Sequence, residues 1–517
     1  MRRNIARGLG ILSLVWLSGT SLHAQGFSPA GMELLMQQKL WFYSRNAAGT
    51  VFDDTRNYSN VKVGYGMERG DFHRPQEGED TRHLNVSSEG FLNLRDAYVW
   101  GEFSFEQRNV HDAGYNASVT DPFRGMPYYV VDSHLSKWRS QYYNLRFRAA
   151  TPLYWNKVAF GLEGTYVASI ATKQRDPRAD TRFYTLELVP GITYNINGKH
   201  KLGGNFEYAS IKEDSRMSNA NNYVDQDYYE LYGLGVAVKG IGSGRTANYF
   251  GNRLGGGIQY NYNVRKVNVL FEGTYTVKVE NVEVSFDDPR KDASVKERVA
   301  QAALSLYGRG NRFSHFFRTG YYYRHIDGIQ YVSQYDNSDS QNGWMDLYHS
   351  IRSTYRLKVA SADYSVSKNR GDEYSWKVDV GIRYRKNKDE YLLPNSLKGA
   401  ENLYWGLCGK RNLSIGNTHN RRLLVSAAAG YNKNLSGSYR YGGSHADYLT
   451  VTELETQDEN YLISDFYRIG ADITYSQQYS ADKKTHIFAK AGFDYVKTSD
   501  YGFDHRSYIT FSMGVNF

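Results

Sequence analysis

From about residue 60 to the C terminus, apolar and polar residues alternate in run after run, and no other feature restricts the fold so strongly. Across residues 267–279 one set reads Val267, Val269, Phe271, Gly273, Tyr275, Val277 and Val279, the other Asn268, Leu270, Glu272, Thr274, Thr276 and Lys278. Successive strand side chains point to opposite faces, so such a run has one apolar and one wet face. Trp376, Val378, Val380, Ile382 and Tyr384 alternate in the same way with Lys377, Asp379, Gly381, Arg383 and Arg385. Val61, Val63, Tyr65 and Met67 do so with Lys62, Gly64, Gly66 and Glu68.

A soluble two-sheet sandwich also alternates, and composition separates the two solutions. Mean hydropathy is −0.62, yet aromatics make up 15% of the chain and tyrosines number 46. A transmembrane barrel reconciles these values, with apolar residues facing lipid, polar ones facing the lumen, and Tyr and Trp in interfacial girdles. Past the N terminus no stretch reaches 18 apolar residues, which excludes helical spans. The expected fold is all-β, a transmembrane antiparallel β-barrel.

Eighteen strands are expected, near residues 60–69, 89–95, 97–108, 138–150, 157–170, 181–195, 200–212, 251–264, 267–280, 295–308, 313–326, 347–366, 374–390, 401–413, 421–435, 461–478, 484–497 and 506–517. Runs 89–95 and 401–413 alternate least regularly, so the expected range is 14–18. An even number places both ends of the barrel in the periplasm. Asn197-Gly198 is a hairpin signal, and Arg265-Lys266, Gly308 to Asn311 and Ala481 to Lys484 mark further tight turns. Longer polar segments at 70–87, 109–136, 213–250, 281–294, 327–346 and 436–460 read as outer loops. In the last strand Ile509, Phe511, Met513, Val515 and Phe517 should face lipid, and Tyr508, Thr510, Ser512, Gly514 and Asn516 the interior. A terminal aromatic on such a strand resembles the signal read by barrel-assembly machinery, an expected partner during biogenesis.

The first residues indicate export. Arg2, Arg3 and Arg7 precede an apolar run from Leu9 to Leu17, and Ala24 offers a cleavage site before Gln25. The expected organisation is a signal peptide at 1–24, an N-terminal helix or hatch at 25–59 and an outer-membrane barrel at 60–517. Loss of the signal removes three arginines and no acidic residue, lowering the formal charge from +9 to +6. That surplus suits outer-membrane lipid as the surrounding partner, and no single element carries the basic cluster that nucleic-acid binding would need. The only cysteine, Cys408, allows no intramolecular disulfide and reads as a small buried or lipid-facing residue.

Signals for chemistry are weak. Gly240-Ile241-Gly242-Ser243-Gly244 lacks the Lys-Ser/Thr of a phosphate cradle and reads as a flexible loop. Gly255-Gly256-Gly257 reads as a strand kink, or a place where a plug comes close. His73, His83, His111 and His134 lack metal-ligand spacing. Asp132, Ser133 and His134 are neighbours whose side chains are expected to point apart. No catalytic residue, metal or cofactor is expected.

Two sets of residues bear on transport. Before the first strand, Met32, Leu35, Met36 and Leu40 recur at helical spacing, followed by Trp41 and by Asn46-Ala47-Ala48-Gly49. This segment either caps the periplasmic rim or plugs the lumen. If the alternation holds, Glu102, Arg146, Arg148, Glu163, Glu187, Glu272, Arg318, Arg324, Asp379, Arg383, Asp472, Lys490 and Asp494 point inward. Mixed charges there suit either a packed wet interior or a selectivity lining.

At Asn46-Ala47-Ala48-Gly49 the chain resembles the hatch of the FadL-type long-chain fatty-acid transporters, which carry Asn-Pro-Ala-Gly at this place. The resemblance implies an N-terminal hatch in a 14-stranded barrel that passes hydrophobic molecules sideways into the membrane. The Tyr-rich strands, the Ala24-Gln25 junction and the ending at 508–517 are similar to Bacteroidota outer-membrane barrels of unassigned function. TonB-dependent receptors pair a plug domain with 22 strands and need more chain than this. The expected function is a FadL-like channel for small amphipathic or hydrophobic solutes. The alternative is a non-transporting barrel whose long loops bind a surface lipoprotein or outer-membrane complex.

Overall fold

A computed structural model describes residues 26–517 apart from 96, 222, 225, 243, 286–287, 338–342, 417–419 and 480–484. The expected signal peptide and the turn at 481–484 lie outside the described residues. Along the first half of the chain run β1 (Tyr58–Arg69), β2 (Asp80–Leu94), β3 (Ala97–Ala113), β4 (Val130–Val131), β5 (Ser136–Ala150), β6 (Val158–Lys173), β7 (Arg178–Asn195), β8 (His200–Ser218), β9 (Gln226–Gly233), β10 (Val236–Gly242) and β11 (Gly244–Val264). The second half holds β12 (Val267–Val284), β13 (Arg290–Arg309), β14 (Phe313–Asp336), β15 (Gly343–Arg370), β16 (Glu373–Tyr391), β17 (Ser396–Ile415), β18 (Arg421–Arg440), β19 (Phe466–Gln478), β20 (His486–Lys497) and β21 (His505–Asn516). Two helices stand apart from them, α1 (Pro29–Gln38) and α2 (Thr456–Ile463).

Eighteen strands, all but β4, β9 and β10, pair antiparallel with their neighbours in chain order. The sheet closes where β21 meets β1, from Asn60 opposite Asn516 to Arg69 opposite Ser507. Closure removes both edges, so the strand backbones find partners without water. The 14 strands implied by the FadL resemblance are therefore corrected to 18, and the two least regular runs are both strands. The strand expected at 461–478 starts only at Phe466, because residues 461–463 end α2, drawn inward where the Tyr461 ring lies 4.8 Å from that of Phe72.

The alternation decides which face meets lipid. Phe271, Tyr275, Val279, Phe511 and Met513 are exposed outward, while Leu270, Lys278, Arg506 and Asn516 are buried inward. Cys408 pairs with the inward residue Asp379, so it faces the lumen, half-buried, rather than lipid. Its neighbours Trp405 and Leu407 take the outward positions. The wall is uneven in height: β14 and β15 have 24 and 28 residues, whereas β1, β20 and β21 have 12. A crossing takes about 9–11 residues, so β14 and β15 rise far above the membrane. No helix among the described residues is long and apolar enough to cross it.

The segments expected as outer loops are largely ordered. Strands extend into most of them, and β4, β9 and β10 form a separate three-stranded sheet. Of the glycine-rich stretch, Gly240 to Gly242 end β10 and Gly244 begins β11. Gly255-Gly256-Gly257 introduces no break, because β11 keeps continuous register with β8 and β12 on either side.

Candidate functional site: a plugged and lidded lumen

Residues 26–57 lie within the barrel. Ser28 caps α1 by accepting from the Gly31 amide at 3.1 Å, and Pro29 occupies the first turn, where a missing N–H costs nothing. The apolar side chains of α1 do not form the single face expected from Met32, Leu35, Met36 and Leu40. Leu35 packs with Phe27, Tyr58, Phe91 and Trp100, with Met32 and Met36 alongside, while Ala30 and Leu34 pack on Tyr374 and Leu424. A helix wedged between two walls buries both flanks, so Leu34 joins the set and Leu40 falls beyond the helix end. Glu33 fixes the far wall, accepting from Lys410 at 3.0 Å and the Tyr374 hydroxyl at 2.8 Å.

After α1 the chain folds on Trp41, which is fully buried with Leu40 against Leu270 and Tyr307. The Asp53 carboxylate accepts from the Trp41 and Phe42 amides at 3.1 and 2.8 Å. Burial pushes this carboxyl up to about 7 despite those bonds, and burial likewise pushes the nearby Lys39 ammonium down to about 8. Lys39 sits over the Phe91 ring at 4.2 Å and the Tyr58 ring at 4.8 Å.

The residues of the expected hatch motif meet the wall directly. Asn46 is fully buried, its side-chain NH2 donating to the carbonyls of Ile192 and Gly204 and to Gln259 Oε1 at 3.0–3.2 Å. Its Oδ1 accepts from the Ala48 amide at 3.1 Å. Gly49 has the Trp41 ring where a Cβ would stand. Ala47 and Ala48 press on Gly161, and Asn46 on Gly191 and Gly203. Gly161 and Gly191 are register partners, and Gly203 is one strand on, opposite Thr193. The close approach expected at Gly255–Gly257 is thus made at these three glycines, because the space over Gly257 is taken by Asn205 and Thr274. A Gly161→Val side chain would collide with the Ala47–Ala48 backbone. The expected outcome is a barrel that folds normally but leaves residues 26–57 open to added protease.

Charge completes the seat. Arg45 reaches Glu163, Glu187 and Glu207 on three successive strands, and its amide donates to Glu272 at 2.7 Å. Burial alone would lower the Arg45 guanidinium, but the three carboxylates outweigh it and the net shift is upward. Arg148 donates to Glu163 and to the carbonyls of Phe42 and Ser44. Glu102 pairs with Arg146, and Arg318 lies over the Tyr43 ring at 5.0 Å. Beside the plug, Lys377 lies 3.1 Å from Asp379 and 3.9 Å from Glu33 of α1; farther off, Asp472 meets Lys490 at 3.2 Å, Asp494 meets Arg468, and Arg383 stands exposed on the Asp379 face.

The outer end is closed mainly by segments that the sequence reads as long outer loops. Residues 114–135 turn into the lumen, where Val119, Met126 and Tyr128 pack on Tyr249, Val282, Val295 and Ile326. Within the expected loop, Met126-Pro127-Tyr128-Tyr129-Val130-Val131 was the signal, an apolar run too long for a solvated loop. Arg124 pairs with the buried Glu213 and Glu280, and Arg324 donates to the Arg124 carbonyl at 2.6 Å. α2 is tied in by Asp458, which takes Arg74 at 2.5 Å and Lys398 at 2.7 Å.

Asp132 and His134 do converge, contrary to expectation: Asp132 Oδ2 lies 3.1 Å from His134 Nδ1. Residues two apart in extended chain share a face. Asp132 also holds the buried Lys173 ammonium at 2.6 Å, and Ser133 points out exposed.

Beneath the lid lies a chamber of about 520 Å³. Its walls include Glu106, Arg108, Trp138, Tyr142, Asn144, Arg506 and Tyr508, and its roof Asn116, Phe123 and Tyr461. A second cavity of about 200 Å³ is lined by Phe123, Tyr129, Asp458 and Lys398 among others.

A closed transmembrane barrel, filled below by its own N-terminal segment and roofed by folded outer segments, is the class of protein this geometry defines. The chain belongs to a family described as a family of unknown function, DUF6850, whose profile matches residues 47–517. No curated protein matches it. Among solved structures, a Pseudomonas aeruginosa FadL homologue is similar with TM-score 0.37 and 11% identity, over 96% of this chain and 98% of that one. The ferric preacinetobactin receptor BauA from Acinetobacter baumannii gives 0.42 and 10%, over 89% and 80%. The ferripyoverdine receptor of the Pseudomonas aeruginosa outer membrane gives 0.40 and 9%, over 89% and 72%. TM-scores this low bear neither on residues nor on solutes.

Proposed function

We propose that the protein is an outer-membrane channel for small amphipathic or hydrophobic solutes, shut by residues 26–57 and admitting solute from the lid side. The observation that carries this is the chamber. The lumen is closed by two separate inserts with unfilled space near the lid, where a scaffold barrel would pack its interior with wall side chains. Tyrosine and tryptophan faces beside Arg, Glu and Asn heads suit a solute with both apolar and polar surface, which favours the amphipathic class. Apolar contacts hold α1 and Trp41, whereas residues 45–46 are held by ion pairs and hydrogen bonds, which water can replace when the segment moves. Deleting residues 27–48 tests the gate: in liposomes the expected result is at least a tenfold rise in conductance of a correctly folded barrel. Unchanged conductance would sink the gating idea.

The second reading, a barrel that docks a surface lipoprotein or larger complex, draws on a different observation. Val332, Leu347 and Tyr348 stand exposed on the tall β14–β15 hairpin. Mild-detergent purification that yields the lone barrel would count against it. Biogenesis through barrel-assembly machinery, read at Phe517, belongs to either proposal. Neither assigns catalysis, since Asp132 is committed to Lys173. His134→Ala is expected to leave the barrel without effect on phospholipid or peptide, and a hydrolase activity lost in that variant would overturn this.

A further inference from the structure

We propose that the outer wall of β13–β16 binds the phosphorylated headgroup of an outer-leaflet lipid. On these strands the outward positions change character at one height. Along β16 they run Trp376, Val378, Val380, Ile382 and Tyr384, then Lys386 and Lys388. The eight steps from Trp376 to Tyr384 at about 3.3 Å each give roughly 26 Å along the strand before tilt, close to the apolar band of an outer-membrane barrel. The lysines therefore stand at the outer border of the membrane. The same change occurs from Ala300 to Arg298 and Lys296, from Tyr323 to His325, and from Ala360 to Lys358 and Arg356.

Register aligns these residues. Arg298 is opposite His325, His325 opposite Arg356, and Arg356 opposite Lys388, in one row across four strands. In the adjoining row Lys358 is opposite Lys386. Like charges directly opposite on neighbouring strands destabilise a sheet. Two such pairs side by side are costly unless something anionic occupies them.

The carboxylates within the patch do not neutralise it. Asp327 takes Arg298 at 3.1 Å and His325 at 2.7 Å, Glu390 takes Lys388 and Arg356, and Glu401 takes Lys386 at 2.7 Å. Three acids thus face six permanent cations. Among the described residues Lys296 and Lys358 have no carboxylate partner within 4.0 Å, and Lys358 stands exposed beside the Tyr323 ring. Arg356, Lys386 and Lys388 keep two-fifths or more of their side chains exposed. The ligand that satisfies both halves of this surface has phosphate above and acyl chains below, against Tyr321, Val380 and Ile382, which are exposed to the membrane. A free phosphate would use only the upper half.

The test places the full-length barrel in phosphatidylcholine nanodiscs doped with diphosphorylated lipid A or its dephosphorylated form, and counts retained lipid by native mass spectrometry. The expected result is about tenfold preference for the phosphorylated form, lost in an Arg356→Gln/Lys358→Gln/Lys388→Gln variant and unaffected by millimolar inorganic phosphate. Should the triple variant fail to fold, Lys358→Gln alone is expected to lower the preference about threefold. Equal retention of the two lipids, an indifferent variant, or full displacement by inorganic phosphate would each overturn the proposal.

Discussion

Replacing Arg45 with alanine should loosen the plug and raise the conductance of the reconstituted barrel by roughly 5–30-fold. Its guanidinium reaches three carboxylates that are nearly inaccessible, Glu163, Glu187 and Glu207. Removing one partner of a fully buried pair costs about 3–5 kcal/mol. Two facts reduce that here. Arg45 is about a third exposed, and the carboxylates keep other cations, Arg148 on Glu163 and Arg253 on Glu187 and Glu207. A residual effect of about 1–2 kcal/mol corresponds to the 5–30-fold stated. Arg45→Lys should rescue only in part, because an ammonium cannot fork across carboxylates from three strands. Single-channel recording checks both variants. A wild-type conductance in Arg45→Ala would mean that the Asn46 bonds and the glycine seat hold the plug unaided.

The wall was legible in the sequence because period-2 alternation is a local property. Val267 to Val279 shows both faces without reference to any other strand, and closure adds only pairing. The plug was half legible. Met32, Leu35 and Met36 announced a helix, but a lone helical face cannot tell rim from lumen. That distinction rests on Leu34 and Ala30 meeting Tyr374 and Leu424, residues more than 300 positions away. The glycine seat was invisible for the same reason: Gly161, Gly191 and Gly203 sit in separate runs, and only register sets them side by side. The conspicuous Gly255-Gly256-Gly257 drew attention by being contiguous and turned out to face wall side chains. The cationic patch shows the point from the other side. No single element is basic, and the net charge is modest, yet three strands bring Arg298, Arg356, Lys358, Lys386 and Lys388 to one height. Composition hides the lid, since segments rich in polar residues read as outer loops although the apolar run Met126 to Val131 lies inside one of them.

The second large effect is expected at the lid. Arg124 carries its charge into the lumen and meets Glu213 and Glu280, both without solvent exposure. Burial alone would lower the guanidinium, but Glu280 and Glu213 outweigh it and the net shift is upward. The Tyr249 ring lies 5.2 Å from it. Arg124→Ala leaves two dry carboxylates facing each other, with Lys278 at 3.2 Å the remaining cation on Glu280. Loss of one member of such a buried cluster costs about 3–5 kcal/mol. Taking about 3 kcal/mol, amide exchange across residues 114–132 should accelerate by about 100-fold. The barrel strands should keep their protection, because their hydrogen bonds do not depend on the lid. Arg124→Met combined with Glu213→Gln and Glu280→Gln supplies the contrast. Replacing a whole buried ionic cluster with neutral groups of similar size is often neutral, whereas breaking it is not. The triple variant should therefore regain most of the lost protection. Fast exchange in both variants would instead mean that the Arg124 side chain holds the lid by shape, and unchanged exchange in both that Val119, Met126 and Tyr128 hold it alone.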